Sequence, residues 1–348
     1  MREQINKMLF PVLSKLGLNR KIYNLINNIK LFFNRNRWYK QLNLIYDNHS
    51  KKKFSICLVC CLRNENHRMP YFLEYYRNLG VEHFFFIDND STDGFLKSMK
   101  EEEDVSLWHT KHSYKDSNFG MEWCNSVLNK YGKDKWCVTC DPDEFLVYPK
   151  IEHRKLQDLT NWMDSMNQPS LFCVMIDCYS DKDIDKTYLN NKGDTFKACP
   201  YFDKFNFTQR YSSKFNNVWI QGGVRMRKHF QLNPQNAPAQ NKVPLIKWRI
   251  GYKYLSSMHH TNTPSINCTI YDDNRFVSGA IMHFKYTSAF KNKVTEEITR
   301  KQHYNNSQEY KKYSKEGFDS LYDKNWSIKY TDSTQLVKLK MIHEGEWF

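Results

Sequence analysis

Glycine is scarce in this chain of 348 residues, twelve in all, and neither G-x-x-x-x-G-K-[ST] nor G-x-G-x-x-G occurs. A backbone cradle for phosphate is therefore not offered, and a phosphate group would have to be met by a metal ion or by cationic side chains. Long apolar runs are also missing. The longest, Phe54–Leu62 and Phe84–Ile87, fall far below the roughly 18 residues of a membrane span, and mean hydropathy is −0.76. The N-terminus shows neither the apolar stretch nor the small-residue cleavage site of a signal peptide. A cytoplasmic location is expected, with the ten cysteines as free thiols. No internal repeat is present, and no low-complexity tract beyond a Lys/Asn bias. With 40% hydrophobic and 26% charged residues, the chain can bury a sizeable core, which excludes a disordered tail.

Positive charge is abundant but uneven. Net charge is +14, and ten of those charges lie in Met1–Lys53, where twelve Lys/Arg face only Glu3 and Asp47. Ile5, Met8, Leu9, Val12 and Leu16 repeat there at helical spacing, as do Ile22, Leu25, Ile26, Ile29 and Phe33. Residues 1–53 read as a basic amphipathic helical extension, suited to an anionic membrane surface or to packing on the body of the protein. The same segment, with Phe32, Phe33, Trp38 and Tyr39, supports a rival reading as a non-enzymatic polyanion- or nucleic-acid-binding protein.

From Phe54 onward short apolar runs alternate with helical periodicity. Phe54–Leu62 reads as a strand buried on both faces, and Met69–Leu79 as a helix closed by Gly80. Strands are expected at His83–Ile87, Val105–His109 and Lys135–Cys140, and helices over Gly94–Lys100 and Phe119–Tyr131. This β-α-β-α-β-α-β order predicts an α/β fold with a mostly parallel central sheet and helices on both faces. Past Pro149 the pattern loosens into a helix near Leu156–Met166, a strand at Leu171–Ile176 and mixed segments. A Lys-rich helix is expected near Val294–His303, in a C-terminal part to which the sequence assigns no role.

Three polar clusters follow predicted strands: Arg63-Asn64-Glu65, Asp88-Asn89-Asp90-Ser91-Thr92-Asp93-Gly94, and Asp141-Pro142-Asp143-Glu144. Turns alone favour such residues, but in open parallel sheets ligands bind beyond the carboxyl ends of the strands. Three clusters on one edge therefore indicate a site. They also count against the polyanion-binding reading, because carboxylates repel phosphate unless a cation intervenes. Hard oxygen ligands such as Asp141 and Asp143 suit Mg²⁺ or Mn²⁺ bridging protein and diphosphate.

The stretch C-L-R-N-E-N…Y-F-L-E-Y-Y-R-N-L-G-V-E-H-F-F-F-I-D-N-D-S-T-D-G, followed by C-D-P-D-E-F-L, resembles the bacterial family 2-like glycosyltransferases of the GT-A fold, in the branch related to the family 92 domain. The likeness is close over residues 54–149. It continues loosely through Gly222–Arg227, Pro244–Trp248 and Met282–Lys285. It implies a glycosyltransferase domain over residues 54–290, with a nucleotide-binding half (54–149), an acceptor half (150–290), and a helical extension over 291–348. It also implies transfer of a sugar from a nucleotide-sugar donor to a glycan or lipid-linked acceptor, with Mn²⁺ or Mg²⁺, in bacterial surface-polysaccharide assembly, with no nucleic acid as partner. On this resemblance Asp141, Asp143 and His283 would hold the metal, and Asp88 and Asp90 the nucleoside. Arg63, Asn64, Glu65, Asp141, Arg225, Arg227 and Lys285 are the further donor-binding candidates. If the enzyme inverts, a carboxylate takes the acceptor's proton, and Asp177 and Asp181 are the candidates.

Two constellations are set aside. Cys57-x-x-Cys60 and Cys137-x-x-Cys140 imitate a four-thiolate zinc site, but residues three apart on a strand point to opposite faces. His259-His260 has no helical H-x-x-x-H partner.

Overall fold

The computed structural model describes residues 36–50, 53–190, 192–271, 273–302 and 304–347. Both apolar repeats of the N-terminal extension lie outside the described residues, as does most of its charge. Its last part does not read as expected: β1 (Asn43–Tyr46) is a strand, paired antiparallel at the edge of the main sheet.

The core of the sheet is the predicted parallel unit. It is built from β2 (Ile56–Leu62), β3 (His83–Asp88), β4 (Val105–His109) and β5 (Trp136–Thr139). β2 is buried at every position because both its faces are covered. Ile56, Leu58, Cys60 and Leu62 enter one apolar cluster, with Phe72 and Tyr76 of the helix α1 (Met69–Leu79). Cys57, Val59 and Cys61 enter the other, with Trp123 and Leu128 of α2 (Met121–Tyr131). Cys137 falls with Cys57 and Cys140 with Cys60, so the two C-x-x-C pairs are split between the faces, and all ten cysteines are buried and outside any disulfide. Gly80 ends α1 at φ 102°, a left-handed position that glycine adopts without a Cβ penalty.

The second half is built from β6 (Glu144–Val147), β7 (Ser170–Tyr179), β8 (Tyr201–Asp203), the hairpin β9 (Phe207–Ser212) and β10 (Asn217–Gly222), β11 (Asn241–Lys247) and β12 (Gly279–His283). The helices α3 (Leu156–Ser165) and α4 (Gly223–His229) accompany them. Strand order across the sheet is β1-β4-β3-β2-β5-β11-β7-β12-β6. β11 is antiparallel to both β5 and β7, whereas β7 and β12 are parallel. Six of these nine strands run one way, as β2 does, so the sheet is mostly parallel and the α/β expectation holds.

Two helices, α5 (Ala289–Arg300) and α6 (Tyr304–Glu316), pack beside the sheet. Phe290, Val294 and Tyr313 join Tyr179, Val224 and Tyr286 in a third apolar cluster, and each such buried side chain contributes about 1.5–3 kcal/mol. Farther on, β13 (Ser327–Lys329) pairs with β8, and the Trp347 indole donates to the Pro149 carbonyl at 2.8 Å. The C-terminal part, helical over α5 and α6, is thus packed onto the domain by strand pairing and side-chain contact.

Gly279 opens β12 where an added Cβ would stand 2.8 Å from the Val147 carbonyl oxygen and 3.0 Å from the Cys173 sulfur. Backbone on one side leaves no room to yield. Gly279→Ala is expected to destabilise the protein by about 1–3 kcal/mol, read as a lower urea midpoint with unchanged slope.

Candidate active site

β2, β3 and β5 are parallel neighbours, so the loops after them open on one edge. β2 lies between β3 and β5, and the chain reverses its winding there, the position at which open α/β sheets bind ligands. Register brings the second half to the same place. His283 at the end of β12 sits opposite Glu144 of β6 and Asp177 of β7.

The Asp-Pro-Asp segment is a tight turn, with the Glu144 N–H donating to the Asp141 carbonyl at 3.0 Å. Pro142 fills the second turn position, where its fixed φ is already suitable. Asp141 is half-buried, and no hydrogen bond to its carboxylate occurs among the described residues. Burial, with the nearby Glu144 charge, pushes its pKa up to about 7. Glu144 itself is 2% exposed and ion-paired to the buried Lys242 of β11 at 2.8 Å. That lysine lies under the turn and moderates the clustered negative charge.

Asp143 and His283 face one another, with Oδ2 to Nε2 at 3.4 Å. The other ring nitrogen, Nδ1, is 2.6 Å from Asp177 Oδ1. Asp177 in turn accepts two hydrogen bonds from the Arg225 guanidinium, at 3.0 and 2.6 Å, and one from Gln240 at 3.2 Å. Burial opposes both charges, yet the two carboxylates raise the His283 pKa, and His283 with Lys293 and Arg68 holds Asp143 well below the ordinary carboxylate range. Asp143, His283, Asp177 and Arg225 therefore form one chain of alternating charge.

This arrangement suits a divalent cation to a defined extent. Two cis ligands at roughly 2.1 Å from an octahedral Mg²⁺-like ion lie about 3.0 Å apart, close to the observed separation. Asp177 fixes the ring through Nδ1, as carboxylates behind metal-bound histidines do, leaving Nε2 toward Asp143. Among the described residues no group of three or more His, Cys, Asp or Glu side chains could hold a metal unaided. The remaining ligands would come from a bound diphosphate and water, the usual pattern for Mg²⁺.

Several of the expected donor-binding residues make internal contacts. The Arg63 guanidinium donates to the carbonyls of Asn89 (2.8 Å) and Asp90 and to Glu296 of α5 (3.0 Å), splinting two strand-end loops to that helix. Glu65 is 3% exposed, paired with Arg68 at 2.9 Å and with Lys293. Asp88 is fully buried and accepts the Ser91 N–H within its own loop, whereas Asp90 is more open. Asn64 anchors the Thr92 N–H through its side-chain oxygen at 2.8 Å. Arg227 turns away from this edge to Asp203, at 2.8 and 2.9 Å, and to the Leu321 carbonyl. Lys285 is held by Glu309 at 3.1 Å and Tyr313 at 2.9 Å. Asp177 has both oxygens occupied, and Arg225 and His283 drive its pKa down against the effect of burial. Asp181, two residues past β7, is exposed.

Lys242, Gln240, Arg68 and Lys293 went unnoticed in the sequence because each lies far along the chain from the motif it serves. Lys293 of α5 is the partly exposed cation beside Glu65, and its charge is felt at both Asp141 and Asp143. Lys293→Met is expected to weaken binding of a nucleoside diphosphate about tenfold, with the melting temperature little changed because Glu65 keeps Arg68. Calorimetric titration with UDP and GDP checks this.

No family model matches the chain. Its sequence is similar to a glycosyltransferase. A glycosyltransferase family 92 protein of Oryza sativa subsp. japonica is 25% identical over 154 residues, covering 43% of this chain and 25% of the rice protein. The chain therefore spans about a quarter of the length of that curated relative. Among solved structures, the mannosyltransferase PcManGT of Pyrobaculum calidifontis, in complex with GDP-Man and Mn²⁺, aligns at 12% identity and TM-score 0.25. That alignment covers 47% of this chain and 45% of the other. HddC of Yersinia pseudotuberculosis aligns at 10% identity and TM-score 0.29, over 70% and 99%. Similarity this low in the structures bears on neither site nor mechanism. No helix among the described residues is long and apolar enough to cross a membrane.

Proposed function

We propose that this protein is a metal-dependent glycosyltransferase that moves a sugar from a nucleotide-sugar donor to a glycan or lipid-linked acceptor, with inversion, in bacterial surface-polysaccharide assembly. The observation that carries the reading is the Asp143–His283–Asp177 relay at the switch point of the sheet, beside a free Asp141 carboxylate. The family 92 match supports the same reaction class.

Asp141, Asp143 and His283 would hold Mn²⁺ or Mg²⁺, which when bound neutralises charge on a departing diphosphate. Asp177 and Arg225 keep His283 facing Asp143. Lys293 offers a second positive charge to the diphosphate, in place of the glycine loop the chain lacks, and Asp90 faces the nucleoside. The acceptor oxygen bonds to the anomeric carbon as the bond from that carbon to the diphosphate oxygen breaks, and the acceptor's proton passes to a carboxylate. With Asp177 engaged, we assign that role to Asp181.

The test is release of nucleoside diphosphate from a panel of UDP-, GDP- and dTDP-sugars. Turnover of at least one donor with Mn²⁺ or Mg²⁺, abolished by EDTA and restored by the ion, is expected. Absence of turnover across the panel, or turnover indifferent to EDTA, overturns the proposal.

A further inference from the structure

Beyond the end of β7 the chain encloses an open cleft of about 280 Å³ that none of the groups discussed so far fills. Its wall is drawn from residues 180–190 and 194–201, and a backbone hydrogen bond from Ser288 to the Thr187 carbonyl, 2.7 Å long, pins it to the segment that follows His283. Ser180 on the cleft is three residues past Asp177 and one past the end of β7, about 10 Å at the rise of an extended chain. The cleft thus starts within one or two sugar lengths of Asp177, which holds the His283 ring.

Its lining has a particular chemistry. Tyr188 is 71% exposed, a large ring kept in water, and its hydroxyl has no hydrogen-bond partner among the described residues. Asn190 is held by its side-chain oxygen, which accepts the Lys192 and Asp194 N–H groups at 3.1 and 3.0 Å. Its amide NH₂ is thereby left to donate elsewhere. The charges cancel: the carboxylates of Asp181 and Asp194 are matched by Lys182 and Lys197, the latter paired to Asp194 at 3.0 Å. A polyanion gains nothing from such a balance, and an apolar ligand would strand its polar groups. A flat ring beside fixed donors and acceptors suits a sugar, whose C–H face stacks on an aromatic plane while its hydroxyls take the hydrogen bonds.

We propose that this cleft is a subsite for a neutral, hydroxyl-rich carbohydrate, with Tyr188 as its stacking platform and Asn190 as its donor. That the carbohydrate is the acceptor rests on the transferase reading; that the cleft binds one does not. The experiment accordingly uses no nucleotide sugar. The full chain is probed by saturation-transfer NMR with four methyl glycosides: α-mannoside, α-glucoside, β-galactoside and β-N-acetylglucosaminide, each at millimolar concentration. Transfer to at least one is expected, falling at least tenfold in Tyr188→Ala and several-fold in Asn190→Asp, with unchanged melting temperatures. No transfer to any of the four overturns the subsite, as does transfer that Tyr188→Ala leaves intact. Glycoside binding in a protein that turns over no donor would retain the cleft and reject the transferase, so the two failures are distinguishable.

Discussion

Asp143→Asn is expected to lower donor-dependent nucleotide release by roughly three orders of magnitude, about 4 kcal/mol of lost transition-state stabilisation. The substitution keeps the shape of the side chain and leaves an oxygen for His283 Nε2, now 3.4 Å away. It removes the charge that a divalent ion needs. The Asp-Pro-Asp turn is closed by backbone, not by this carboxylate, so the melting temperature should shift by no more than a few degrees. Release at the native rate in the variant would end the metal assignment. Unfolding of the variant would mean that the Asp143–His283 contact is structural.

Arg225→Ala is expected to cost about 3–5 kcal/mol of stability, because it strands a buried carboxylate that now receives two guanidinium hydrogen bonds. Arg227→Ala should cost a similar amount, since it strands Asp203 in the same way. The two separate in function. Loss of Arg225 frees Asp177 to turn the His283 ring, so kcat falls in the folded fraction, whereas loss of Arg227 leaves kcat and the donor KM unchanged. A raised donor KM in Arg227→Ala would restore that residue to the donor site. The pH dependence has a definite sign. Asp177 is depressed in the folded state, so its contribution is complete above the unfolded value near 3.9 and is lost as pH falls through the folded pKa. Without Arg225 that folded pKa rises, and acid unfolding should set in at higher pH. Denaturation followed by fluorescence between pH 2 and 6 measures the difference.

The parallel half of the domain was legible almost to the residue. Met69–Leu79 and Val105–His109 have the boundaries their periodicity predicts, because each buries a face fixed by neighbours close along the chain. The acidic edge was legible for the same reason: strand polarity alone places residues 63–65, 88–90 and 141–143 together. What the sequence misplaced were the partners of those residues. Arg225 and Arg227 are two apart and chemically identical, yet one faces Asp177 at the site and the other Asp203 behind it, since α4 carries them to different neighbours.

The local pattern determined the elements, their direction and the edge on which chemistry sits, because periodicity and turn chemistry act over a few residues. Only the tertiary structure decided which charges are spent on one another, because ion pairs such as Lys293 with Glu65 and Lys242 with Glu144 close over long loops that no spacing rule encodes. It also decided that α5 meets the loop after β2, since Glu296 and Lys293 reach Arg63 and Glu65 only once the third apolar cluster has docked that helix.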